Sequence, residues 1–281
     1  APLPAGDEAS VKSNRKLPAL GLLFSIGAAV FFLGGGAFVL RYLQSSNKPI
    51  SSMIPALPGS SGTSTQPVKP DMVLIPAGRA LLGKDRQPVD VGAFYIDKTE
   101  VTNRDFLRFC KQTGRSCPPG VQSAEPDHPV VNVTYDDAQE FANWTGRRLP
   151  TAAEWQKAAR GDRGDEFPWG NQPRLNLANI GGGARRHLVA VTEFSAGASP
   201  YGALNMVGNA WEWVDAKEEL AEVDVDRLKN RFTPPLDRSE PAYQIRGGSF
   251  QHNVTVESLS SVIWDFAVMP SRLRREDIGF R

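Results

Sequence analysis

Apolar residues are distributed along this chain in three regimes. Between residues 17 and 40 they are nearly continuous, with no charged side chain, and the run is long enough at helical rise to cross the hydrocarbon of a bilayer. A cleavable leader would carry a shorter apolar region ending in small residues, whereas this run continues to Leu40 and meets Arg41 and Tyr42, residues suited to an interface. Between 41 and 70 large apolar side chains give way to Ser, Pro, Gly and Thr. Such a composition cannot bury enough surface to offset its ordering entropy, so a disordered Ser/Pro/Gly-rich linker is predicted. From 71 to 281 apolar positions return at short intervals of both strand and helix type, which predicts one α+β domain with long irregular excursions.

Three helices stand out within that domain. One is predicted over 103–112, with Phe106, Phe109 and Cys110 facing inward. In a second, Thr134 caps Tyr135-Asp136-Asp137 and Ala138, Phe141 and Ala142 form the apolar face. A third opens with Thr151-Ala152-Ala153-Glu154, a capping box, and buries Trp155, Ala158 and Ala159. Strand-like sequence starts at Met72, and beyond Gly161 breakers such as Pro168-Trp169-Gly170-Asn171 and Gly181-Gly182-Gly183 predict loops.

Charge changes this picture in one respect. Lys12, Arg15 and Lys16 crowd the N-terminal side of the apolar run, against Arg41 and Lys48 beyond it. That excess favours a single-pass topology in the cell membrane, with residues 1–16 as a cytoplasmic juxtamembrane segment and the C-terminal domain extracytoplasmic. Gly21, Ser25 and Ala29 form a small-residue stripe that could bring two such helices together as a dimer, or merely reflect the richness of membrane helices in small residues. The chain begins at Ala1, as a processed product or a piece of a longer polypeptide would. A formal net charge of +1, with no basic stripe, gives no basis for nucleic-acid binding. The only two cysteines, Cys110 and Cys117, exclude a multi-thiolate zinc site. They predict one local disulfide if the domain faces an oxidising compartment, and two free thiols otherwise.

Taken in order, the domain's motifs are Met72-Val73-Leu74-Ile75-Pro76, Asp97-Lys98-Thr99-Glu100-Val101-Thr102-Asn103, His128-Pro129-Val130-Val131-Asn132, and Arg148-Leu149-Pro150-Thr151. They continue with Phe167-Pro168-Trp169-Gly170-Asn171, Asn205-Met206-Val207-Gly208-Asn209-Ala210-Trp211-Glu212-Trp213, Arg246-Gly247-Gly248-Ser249-Phe250 and Ile278-Gly279-Phe280-Arg281. Over 71–281 this series resembles the formylglycine-generating enzyme (sulfatase-modifying factor) family, and the resemblance implies a variant of the C-type-lectin fold. Enzymes of that family oxidise a substrate cysteine with copper held by two cysteines shortly after the Gly-Gly-Ser segment. Here those positions fall at His252 and Glu257, so no copper is expected, and the resemblance implies a pseudoenzyme. An iron-dependent branch of the family uses a His-rich motif, whereas the three histidines of this chain, His128, His187 and His252, are dispersed. The family's calcium loop maps onto Asn205, Gly208, Ala210 and Glu212, which implies a structural calcium ion or, alternatively, a turn fixed by hydrogen bonds. A second calcium site would begin at Asn179, but the segment after it is short of its acid.

The function expected from this resemblance is recognition of an unknown extracytoplasmic ligand or protein partner, with the domain as a receptor's sensor, such as the outer part of a membrane-spanning serine/threonine kinase. Trp211, Ser249, Gln251, His252, Asn253 and Trp264 are the candidate ligand-facing residues, with Trp264 and Phe266 equally assignable to the core. The alternative is a cysteine-independent oxidoreductase or maturation enzyme of the same superfamily.

Overall fold

Short strands bracket the helices in the computed structural model, which describes residues 71–181 and 185–281. Strand β1 (Met72–Ile75) pairs antiparallel with β4 (Phe94–Asp97), setting Met72 opposite Asp97. Between them β2 (Gly78–Leu82) and β3 (Gln87–Val91) form a hairpin whose inward positions are Ala80, Leu82 and Val91. The main sheet has four strands in the order β7 (Ala267–Pro270), β6 (Ala242–Arg246), β5 (Trp211–Glu218), β8 (Ile278–Gly279), with β8 parallel to β5 and the other pairs antiparallel.

The caps predicted from sequence set the three main helices. In α1 (Asn103–Thr113) Thr102 Oγ1 accepts from the Asp105 amide, and the helix ends at Gly114 with φ 70°, one residue beyond the expected end. Both α2 (Tyr135–Trp144) and α3 (Ala152–Arg160) open with a reciprocal capping box, Thr134 with Asp137 and Thr151 with Glu154. Each cap is worth about 1 kcal/mol. Two shorter helices, α4 (Glu222–Leu228) and α5 (Ser261–Trp264), lie in the excursions that follow β5 and β6.

Two apolar clusters flank β5, as expected from side chains alternating across a strand. Trp213 joins Phe106, Phe109, Phe141, Ile245 and Phe280, while its neighbour Val214 joins Trp155, Phe167, Met206 and Ile263. One strand therefore seals two half-cores, and the loop entering it, 205–210, is anchored in the second through Met206 and Val207. Cys110 and Cys117 are joined by a disulfide with Cα atoms 5.6 Å apart, closing the turn after α1. The predicted membrane segment 17–40, its 1–16 flank and the 41–70 linker lie outside the described residues. So do positions 182–184 of the shortened segment after Asn179. Among the described residues no helix is long and apolar enough to cross a membrane.

Candidate functional site

The loop into β5 is built from unusual backbone. Asn205, Gly208 and Asn209 have φ of 52°, 80° and 62°, a region that Gly and Asn tolerate best. At Gly208 a Cβ atom would lie 2.3 Å from the Asn179 carbonyl oxygen, so only glycine fits. The tight approach lets the Asn209 amide donate to Asn179 O at 2.6 Å and the Gly208 amide to Gly247 O at 2.8 Å. Three segments distant in sequence are thereby clamped together.

Beneath this loop lies a buried charge network. Glu212 Oε2 accepts from Trp155 Nε1 and from Arg281 Nε, both at 2.7 Å, and Oε1 accepts from Arg281 Nη2 at 2.5 Å. Arg281 also donates to the Leu204 carbonyl at 2.8 Å. Close by, Glu100 accepts from Asn205 Nδ2 at 3.1 Å and Asn209 Nδ2 at 2.8 Å. Burial pushes the Glu100 carboxyl up to about 7, with Arg281 opposing the rise and Glu212 adding to it. Two carboxylates thus share one guanidinium.

The donor set suggested for calcium meets this network. Asn205 Oδ1 is buried with no hydrogen-bond partner, an oxygen free for a hard cation. Glu212 is already engaged by Trp155 and Arg281, although a carboxylate has about four lone-pair sites and these bonds use three. By donor chemistry the Asn205 oxygen and the remaining Glu212 lone pair are compatible with a hard cation. Asn179 Oδ1 is likewise buried and unpartnered.

A second constellation surrounds His252, one of the two positions onto which the resemblance maps the family's copper ligands. The rings of His252 and Trp211 stack with centroids 5.2 Å apart and an interplanar angle of 22°. Ser249 Oγ donates to Asp277 Oδ2 at 2.7 Å and accepts from the Gln251 amide at 3.2 Å, while Gln251 Nε2 donates to Glu276 at 2.7 Å. Arg275 Nη2 donates to the same Asp277 oxygen at 2.8 Å. His252 Nδ1 and Asp277 Oδ1 are both buried without partners. Burial holds the His252 pKa below its usual range, against the attraction of Asp265 and Asp277, which favours the neutral imidazole. Ser249 spends its proton on Asp277, so the arrangement offers stacking and hydrogen bonding rather than an activated nucleophile.

Trp211, Ser249, Gln251 and His252 are thus brought together. Asn253 is exposed and joins Gly181 through a backbone bridge. Trp264 packs on the second apolar cluster with Lys84 Nζ 5.5 Å from its ring centre. Glu257 is exposed. Among the described residues no three His, Cys, Asp or Glu side chains form a metal-holding group. Sequence reasoning gave no role to Glu100, Asn209, Asp277 or Arg281, although all but Asp277 belong to the ordered motifs. The signal available was the presence of charged and amide residues within otherwise apolar, core-forming motifs.

Comparison with known proteins places these motifs. A profile for the sulfatase-modifying factor enzyme 1-like domain matches residues 59–281, starting within the segment predicted as linker. Hercynine oxygenase from Mycolicibacterium smegmatis is 33% identical over 245 residues, covering 69% of this chain and 55% of the relative. Formylglycine-generating enzyme from Bos taurus is 30% identical, covering 64% of each chain. The bovine protein named inactive C-alpha-formylglycine-generating enzyme 2 is 28% identical, covering 57% of this chain and 75% of its own length. The chain spans less than two thirds of the first two relatives. Two solved structures share the fold: PvdO from Pseudomonas aeruginosa, with a TM-score of 0.55, 24% identity and coverage of 74% and 92%, and Treponema denticola variable protein 1, with a TM-score of 0.53, 21% identity and the same coverage.

Proposed function

Because the chain belongs to the sulfatase-modifying factor enzyme 1-like family, we propose that it is a non-catalytic member, a binding module held at a membrane by its N-terminal apolar segment. One sequence feature supports this reading: no cysteine follows Cys117, and the resemblance maps the family's copper pair onto His252 and Glu257. His252 stands at one position, stacked on Trp211, and Glu257 at the other, exposed. Its two cysteines are consumed in a bond at the end of α1. A soft metal ion needs soft ligands, and neutral imidazole with a solvated carboxylate is a poor substitute. The relative named as inactive is consistent with this reading.

The ligand-facing surface is then Trp211, Ser249, Gln251 and His252, an aromatic and amide-rich face suited to a peptide or another neutral polar partner. Calcium at Asn205 and Glu212 would brace the loop that carries Trp211, with no part in chemistry. The disulfide supports an extracytoplasmic domain, since such bonds persist in oxidising compartments, and so agrees with the charge excess on the 1–16 side of the apolar segment. A cytoplasmic serine/threonine kinase ahead of residue 1 and dimerisation through Gly21, Ser25 and Ala29 fit the same receptor architecture.

A second reading, a cysteine-independent oxidoreductase, is favoured by the match to hercynine oxygenase. Metal analysis of the purified chain separates the two. Calcium alone at stoichiometric level agrees with a binding module, whereas retained iron or copper overturns it.

A further inference from the structure

A cavity of about 280 Å3 opens between β4, α2 and residues 280–281, and the proposed function gives it no role. Its walls are apolar: Phe94 and Ile96 of β4, Val101, Phe141 of α2, and Phe280. The space is a cleft open to solvent on one side. Nor can the walls close over it. Phe141 packs against Phe106 and Phe109 and against its fellow wall residue Phe280, at centroid distances of 5.7, 5.5 and 5.4 Å. Phe280 is fixed further by the ion pair of its neighbour Arg281. The pocket is preformed, near the lower end of the roughly 300–1,000 Å3 typical of small-molecule sites.

The rim defines what could enter. Arg147 is clamped between Asp97 at 2.6 Å and Asp71 at 2.7 Å, and Arg148 is held by both oxygens of Glu154 at 2.7 and 2.6 Å. Burial raises the Asp97 pKa despite Arg147, the mark of a weakly solvated mouth. These charges answer one another, so a charged ligand would lose its hydration and find no unspent counter-charge. From these features we infer that the cavity between β4, α2 and the C-terminal residues binds a small uncharged aromatic molecule. The site is separate from the Trp211–His252 surface and independent of the function proposed for it.

The test uses fluorine NMR of 4-fluoroacetophenone with the full chain, and 4-fluorobenzoate as a charged probe of similar shape. Saturable broadening of the ketone signal is expected, with at least about tenfold weaker binding of the carboxylate. Ala142→Leu fills the cavity from α2, and Thr145→Phe obstructs its rim. Either variant should abolish saturable binding, and a melting temperature near that of the parent identifies the variant that has folded. The proposal is overturned by the absence of saturable binding, by binding retained in a folded variant, or by the carboxylate binding as well as the ketone.

Discussion

Arg281→Met tests the network beneath the β5 loop most severely. The Arg281 side chain is fully buried and gives Glu212 two hydrogen bonds and Leu204 a third, with longer contacts to the Asp97 and Lys98 carbonyls at 3.3 and 3.4 Å. Methionine fills much of the volume but leaves Glu212 with Trp155 as its side-chain donor, beside Glu100, which is itself buried. Removing one partner of a buried pair costs about 3–5 kcal/mol, chiefly because the remaining charge is stranded. For a domain of this size each kcal/mol lowers the melting temperature by about 2–4 °C, so a fall of about 6–20 °C is expected. Adding Glu212→Gln removes the stranded charge, and the double variant should melt above Arg281→Met alone. Thermal unfolding followed by tryptophan fluorescence reads both effects. A loss below about 1 kcal/mol for Arg281→Met, or strict additivity in the double variant, would refute the stranded-charge reasoning.

Three further outcomes are expected. If calcium binds at Asn205, chelation should lower the melting temperature of the parent chain; a hundredfold excess of ligand over Kd is worth about 2.7 kcal/mol. Asn205→Gly, which keeps the left-handed backbone but removes Oδ1, should abolish that response, whereas an unaltered response would exclude this loop. His252 has a depressed folded pKa, so the unfolded chain takes up its proton first as pH falls; its stabilising contribution is complete above about 6.5 and declines below it. Subtracting the pH–stability curve of His252→Gln should reveal this decline on acidification, and a flat difference would contradict it. Finally, unfolding without reductant should expose no reactive thiol, with the Cys110–Cys117 bond contributing about 2–3 kcal/mol; labelling of two thiols per chain would exclude the bond in that preparation.

Local rules carried much of the fold. Thr102, Thr134 and Thr151 mark helix starts because a hydroxyl must meet an orphan amide within a few residues, a constraint that sequence displays directly. The pairing of the short strands depends on long-range register and was less legible. Nothing local announces that β8 lies parallel to β5, or that Trp213 and Val214 point into different half-cores. The same limit applies to the site. The family resemblance pointed to Ser249 and His252 around the Gly-Gly-Ser segment and to Trp211 in the Asn205–Trp213 motif, but the Asp277 that accepts the Ser249 hydrogen bond comes from a distant loop. Glu212 was legible as an oxygen donor and illegible as the partner of Arg281, which arrives from the last residue of the chain. Trp264, at the end of α5, packs on the second apolar cluster, one of the two roles that sequence left open for it.

Oxygen consumption tests the central claim most directly. The full chain is mixed with a cysteine-containing peptide substrate and either copper(I) or iron(II), and uptake is compared with that of metal and peptide alone. A module that lacks the thiolate pair should add nothing to the blank. Protein-dependent uptake that is lost in His252→Ala would show that this surface performs redox chemistry, and would contradict its assignment as a non-catalytic binding module.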